Sequence, residues 1–119
     1  IVLSRWSGQS NFLIGTPVAG RQDRRLEALL GCFINTLVLR ADLSGDPDIG
    51  ELLDRAREAA LFAYDNQDVP FERLVAEIKP DRDASRHPLF QVMLTLQNVP
   101  DTVVNLGDVR VGLEPLPEA

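Results

Sequence analysis

Two hydrophobic rhythms divide the chain, and together they leave few architectures open. Across residues 49–78 the apolar side chains return every three or four positions: Ile49, Leu52, Leu53, Ala56, Ala60 and Ala63, then Phe71, Leu74, Val75 and Ile78. That spacing paints one face of a helix twice over, with a break at Asp68-Val69-Pro70. From Leu89 the period falls to two. Val92, Leu94 and Leu96 then face one way, and Gln91, Met93, Thr95 and Gln97 the other, as in a strand with one dry face. A chain that changes from one period to the other must lay helices on a sheet.

The punctuation refines this outline. Phe12-Leu13-Ile14-Gly15-Thr16-Pro17-Val18-Ala19-Gly20 reads as a buried strand that becomes irregular near Pro17. Asp23 is placed to cap a short helix with Leu26, Leu29 and Leu30 on one side and Gly31 as its C-terminal cap. Residues 35–43 lose helical periodicity and are expected to form a strand. Ser44-Gly45-Asp46-Pro47 marks the start of the long helix, with Asp46 as N-cap and Pro47 in the first turn. Glu51 and Arg55 form an i,i+4 pair on its wet side. Asp68 opens the next helix and Pro80 ends it. A last strand is expected at Val109, Val111 and Leu113 after the Gly107-Asp108 turn. The fold class is therefore α/β, an α+β sandwich with helices packed on a mixed sheet, and residues 1–119 form one partial domain without an internal boundary.

Charge and length exclude several functions. A net charge of −6 and the absence of a Lys/Arg-rich block argue against nucleic acid as partner. Arg21, Arg24 and Arg25 are interrupted by Gln22 and Asp23 and read as a solvated helix start. Apolar runs such as Leu37-Val38-Leu39 fall far short of the ~18 residues that cross a bilayer. The single Cys32 offers neither a disulfide nor a metal-ligand spacing, which suits a reducing, cytoplasmic setting. The opening Ile1-Val2-Leu3-Ser4 has no signal-peptide order, and both ends read as cuts within a longer protein. The isolated chain is accordingly expected to be marginally stable or self-associating, because a cut sheet exposes strand edges.

No catalytic or metal-binding group emerges from the residues themselves. His87 is the one histidine; a general base needs an orienting partner, and Asp83 is the nearest candidate in sequence. The expectation for His87 is a structural or merely solvated side chain. Ser4, Ser7, Ser10, Ser44 and Ser85 lack a nucleophile-elbow context. Cys32 sits in an apolar segment that favours the inert thiol.

Three strings stand out instead. Gly31-Cys32-Phe33-Ile34-Asn35-Thr36-Leu37 sets a polar pair between two apolar runs; Asn66-Gln67-Asp68-Val69-Pro70-Phe71-Glu72 bridges the helices; Arg82-Asp83-Ala84-Ser85-Arg86-His87-Pro88-Leu89 leads into the alternating strand. Each fits a cap or a turn on physical grounds. In this order they also resemble the signature motifs of the condensation domains of nonribosomal peptide synthetases: Gly-x-Phe-Val-Asn-Thr, His/Asn-Gln-Asp-x-Pro-Phe-Glu and Arg-Asp-x-Ser-Arg-Asn-Pro-Leu. Gly15-Thr16-Pro17-Val18 resembles a segment that precedes these motifs in the family, and Phe90-Gln91-Val92-Met93 resembles the segment after them. The resemblance runs from Trp6 to at least Asn98. Ile34 replaces the usual Val, and His87 stands where the family pattern has Asn.

The resemblance implies a chloramphenicol-acetyltransferase-like fold, of which this chain is the C-terminal lobe. Two such lobes enclose a tunnel entered by the phosphopantetheine arms of carrier proteins, and an amide is formed from a donor thioester and an acceptor amine. The family's His-His-x-x-x-Asp-Gly motif belongs to the N-terminal lobe and does not occur in this sequence. The implied partners are carrier protein domains and that N-terminal lobe; no cofactor is bound directly. As substrate-binding candidates the resemblance points to Asn35 and Thr36, which fit either tunnel contacts or local backbone, and to Ser85. It also points to Arg82 and Arg86, which suit an arm's phosphate or an ion pair with Asp83 or Glu72. Gln67 and Asp68 are expected to brace the helix junction. A non-catalytic docking module of the same fold is the alternative.

Overall fold

A computed structural model describes residues 1–21, 23–26, 28–80, 85–96 and 104–111. Its elements in chain order are α1 (Val2–Ser7), β1 (Asn11–Val18), β2 (Asn35–Asp42), α2 (Ile49–Asp65), α3 (Phe71–Ile78), β3 (Val104–Leu106) and β4 (Val109–Val111). β1 and β2 pair antiparallel along their whole length, with Phe12 opposite Ala41, Ile14 opposite Leu39 and Thr16 opposite Leu37. On the other edge of β1, Gly15 bridges Met93 in parallel. Its N–H donates to Val92 O at 2.9 Å and its carbonyl accepts from Leu94 N–H at 2.8 Å. β1 thus has an antiparallel strand on one edge and a single parallel bridge on the other; the expected α/β class holds, with the mixed sheet reduced to that one bridge.

Strand pleating sends Phe12, Ile14, Leu39 and Ala41 to one face, and α2 covers that face. A cavity of about 360 Å³ remains between them, lined by Phe12, Ile14, Leu39, Leu52, Ala56 and Leu94 among others. Leu94 reaches this cavity but stays 60% exposed, and with Val92 at 38% and Leu96 at 83% the face expected to be dry is left uncovered. Leu37 and Thr16 are buried on the same face, at 6% and 9% exposure, while Phe90 reaches 4%.

Several expected boundaries move, each for a visible reason. The helix expected after Asp23 is a single 3₁₀ turn, Arg24–Leu26. Leu29 and Leu30 are 50% and 102% exposed, so its apolar stripe finds no surface to bury against, and a short helix without packing does not persist. The long helix begins two residues late. Gly45 and Asp46 take positive φ, 80° and 53°, and the N-cap is Asp48, which accepts from Glu51 N–H at 2.9 Å. Glu51 reaches back to the Asp48 N–H at 3.3 Å, completing a capping box. Glu51 is therefore not paired with Arg55, whose guanidinium instead donates to Ser44 O at 2.9 Å and Asp42 O at 3.3 Å. Replacing Asp48 with Ala is expected to lower stability by about 1 kcal/mol, read as an earlier urea midpoint at constant slope.

The expected strand over residues 89–97 is reduced, among the described residues, to the one bridge at Met93. Gln97 and Leu113 lie outside the described residues. β4 is present and pairs with β3 across the Gly107-Asp108 turn. α1 had no sign in the hydrophobic pattern; it ends where Gly8, at φ 70°, returns its N–H to Ser4 O at 2.8 Å.

Candidate functional site

Asn35 opens β2 and uses its whole amide on backbone. Its Nδ2 donates to Gln67 O and Val69 O, each at 2.8 Å. Its Oδ1 accepts from Thr36 N–H at 2.9 Å and from Phe71 N–H at 3.2 Å. Pro70, the N-cap of α3, supplies no side-chain cap, so a residue of β2 takes the place that Asp68 was expected to fill. First-turn N–H groups of a helix need an outside acceptor, and here it comes from 36 residues away. Asn35 thereby clips the start of β2 to the start of α3 through backbone groups.

Thr36 lies beside a cavity of about 260 Å³ shared with Val38, Phe62, Ala63, Asn66 and Leu74. Asn66 Nδ2 donates to Phe62 O and Gln67 Nε2 to Tyr64 O, both at 2.8 Å. These bonds close the C-terminal end of α2, where carbonyls lack intrahelical partners. Gln67 braces the junction as expected, whereas Asp68 is exposed.

Of the third string, Arg82 and Asp83 lie outside the described residues. Ser85 and Arg86 are exposed on the loop ahead of His87. The His87 ring packs on Phe90 with centroids 4.0 Å apart and on Phe71 at 5.2 Å. Phe71 and Phe90 meet edge to face at 5.9 Å, the geometry that aligns positive ring edge with negative face. The sole histidine is thus one member of an aromatic cluster. Phe90 fills the space above Gly15: a Cβ there would lie 2.3 Å from its Cζ. The three strings converge in space, the first two through Asn35 and the last two through Phe71.

Arg21 was missed. Instead of facing solvent with Arg24 and Arg25, it folds across the loop after β1. Its guanidinium donates to Leu26 O and, at 3.0 Å, to Gly31 O, and lies 4.3 Å from the Phe33 ring centroid. Gly20 allows the closure: its φ is 63°, and a Cβ would stand 2.0 Å from Phe33 O. Phe33, the first aromatic after the arginine, was the available clue, since guanidinium stacks readily on rings.

The shifted carboxylates belong to surface bonding. Asp23 is held below the ordinary carboxylate range by the Arg25 side chain, and Asp42 by the Ser44 hydroxyl and then the Ser44 N–H. Such exposed pairs contribute little to stability, and neither carboxylate faces the convergent strings. Among the described residues no three His, Cys, Asp or Glu side chains gather as a metal site. No described helix is long and apolar enough to cross a membrane.

A family model described as "Condensation domain" matches residues 1–111. The dimodular nonribosomal peptide synthase of Bacillus subtilis (strain 168) is 54% identical over 112 residues, which are 94% of this chain and 5% of that protein. The crystal structure of a four-domain nonribosomal peptide synthetase bound to AMP and glycine superposes with a TM-score of 0.79 at 31% identity, over 83% of this chain and 8% of that one. The X-domain in its complex with OxyB from teicoplanin biosynthesis gives 0.70 at 34% identity, over 77% and 20%. The chain therefore spans only a small part of the proteins it matches.

Proposed function

Since this chain belongs to the condensation-domain family, we propose that it forms one wall of the tunnel in which a nonribosomal peptide synthetase joins a donor acyl or peptidyl thioester to the amine of an acceptor aminoacyl thioester. Its fold is that of the chloramphenicol-acetyltransferase-like lobe. The observation that carries the reading is the convergence of the three motif strings on one cluster, in a chain 54% identical to a peptide synthase.

The wall works by placement. His87 is held in ring contacts, so no proton is assigned to it, and the amine is handled by groups of the facing lobe. Fixing two tethered thioesters in line is itself a large effect, since well-oriented partners reach effective molarities of about 10⁵ M or more. The carrier domains that bring phosphopantetheine arms, and the facing lobe, are the partners; the setting is cytoplasmic. Arg86, with Ser85 beside it and Arg82 four residues before it in sequence, is assigned to the phosphate of an arm, where a guanidinium fork makes charge-assisted bonds. Thr36 is assigned to the tunnel side of β2.

The docking alternative draws on the X-domain match. The larger TM-score to the peptide synthetase, 0.79 against 0.70, favours amide formation. The test loads two carrier domains of the intact protein with aminoacyl thioesters and detects the product by mass spectrometry. A peptidyl thioester is expected; loaded carriers that yield none would overturn the reading. Arg86→Ala is expected to raise the KM for a carrier-tethered substrate about tenfold, the loss of a charge-assisted hydrogen bond, while leaving KM for a phosphate-free thioester unchanged.

A further inference from the structure

Two sets of contacts, each ordinary alone, share one residue. Asn35 Oδ1 accepts the Phe71 N–H at 3.2 Å, which fixes the first residue of α3. The ring of that same residue carries His87 at 5.2 Å and Phe90 at 5.9 Å. Phe90 in turn lies against Gly15, the residue of β1 that bonds to Val92 and Leu94. Gln91 closes the segment by donating from Nε2 to His87 O at 3.1 Å.

We propose that Asn35 and Phe71 are positioning residues: through the His87–Phe90 pair they set where residues 85–88 stand and hold residues 92–94 on β1. The contacts that join Phe71 to the loop segment are those of its ring with His87 and Phe90. Phe90 is the buried member, at 4% exposure, and transmits displacement because a packed interior has no slack to absorb it, while Phe71 is half-buried and His87 exposed. Four consequences meet here: the clip orients Phe71, Phe71 supports His87, Phe90 is wedged under β1, and the loop bearing Ser85 and Arg86 is held from behind. The inference rests on the proposed function for its use in catalysis but not for its physical content.

The amides of Gly15 and Leu94 report on the relay, because both are hydrogen-bonded across the bridge. Hydrogen exchange is measured in the intact protein for Asn35→Ala, Phe71→Leu and Phe71→Tyr, with Asp48→Ala as the control for general loosening. Asn35→Ala, which removes the acceptor of the Phe71 N–H, and Phe71→Leu are expected to speed exchange at Gly15 and Leu94 at least fivefold beyond the control, and Phe71→Tyr, which keeps the ring, to restore it. Phe71→Leu is also expected to leave the residue 71 amide as protected as in the wild type, since its bond to Asn35 Oδ1 remains. Exchange at Gly15 and Leu94 no faster than in Asp48→Ala would overturn the relay. In the amide-forming assay Phe71→Leu is expected to raise KM for the carrier-tethered substrate more than it lowers kcat; an equal fall in apparent enzyme concentration, with KM unmoved, would reduce Phe71 to a folding role. Absence of product in the wild type would sink the proposed function and leave the exchange result standing.

Discussion

Gly15→Ala is expected to destabilise the fold by about 3 kcal/mol, the upper end of what overpacking costs, although alanine suits a strand interior better than glycine does. The new methyl would lie 2.3, 2.4 and 2.8 Å from three atoms of the Phe90 ring. That ring is 4% exposed and is flanked by Phe71 and His87, so it can retreat only by displacing one of them. Backbone propensity alone gives the opposite sign, a gain of about 0.5–1 kcal/mol, which makes the direction decisive. Shrinking the neighbour should recover part of the loss: Gly15→Ala combined with Phe90→Leu is expected to be at least about 1 kcal/mol more stable than the sum of the single changes. Urea denaturation of the whole condensation domain measures all four corners. Additive single effects, or a stabilising Gly15→Ala, would show that Phe90 does not occupy the space over β1.

The second large effect belongs to Asn35. Asn35→Ala removes two donors and two accepted bonds at once, and the expected loss is about 2–3 kcal/mol; water reaches the half-buried site and limits the penalty. Asn35→Asp separates the two halves of the clip. Its carboxylate still accepts from Thr36 and Phe71 but faces the carbonyl oxygens of Gln67 and Val69, which disfavours the charged form. The folded-state pKa of the introduced group therefore rises above its unfolded value. Its contribution is present at low pH and lost as pH rises through the folded pKa, so the deficit of Asn35→Asp against the wild type should narrow as pH falls from 7 towards 4. The native carboxylates Asp23 and Asp42 act in the reverse sense, being held below the ordinary range in the folded chain. A deficit that stays constant with pH would mean that the two carbonyls are satisfied by something other than Asn35.

The two helices were legible because two signals agreed over many residues: apolar spacing fixed their faces, and Pro70 and Pro80 bounded the second. The start of α2 was misplaced because Asp46 and Asp48 are equally eligible caps. Only Glu51, three positions after Asp48, distinguishes them, and reading it as the partner of Arg55 hid that. Alternation carries no information about how many residues find a neighbour: among those described the pairing is one bridge at Met93, carried by the backbone of Val92 and Leu94, and Val92, Leu94 and Leu96, the side expected to be dry, stay exposed. The polar Asn35-Thr36 pair was visible as an anomaly. Its partners were not, because they are backbone groups 32, 34 and 36 residues away. Arg21 was illegible for a related reason: its acceptors are two carbonyls in a loop, and a carbonyl is the same in every residue.

That sameness bears on how such chains exchange parts. The clip at the start of β2 engages main-chain atoms alone at positions 67, 69 and 71, so a crossover between two relatives anywhere in α2 leaves it intact whichever side chains arrive at 67 and 69. Phe71, His87 and Phe90 meet side chain to side chain and must be inherited together. Hybrids joined within α2 should keep this clip, whereas those joined between Phe71 and His87 would unite rings that were never fitted to one another.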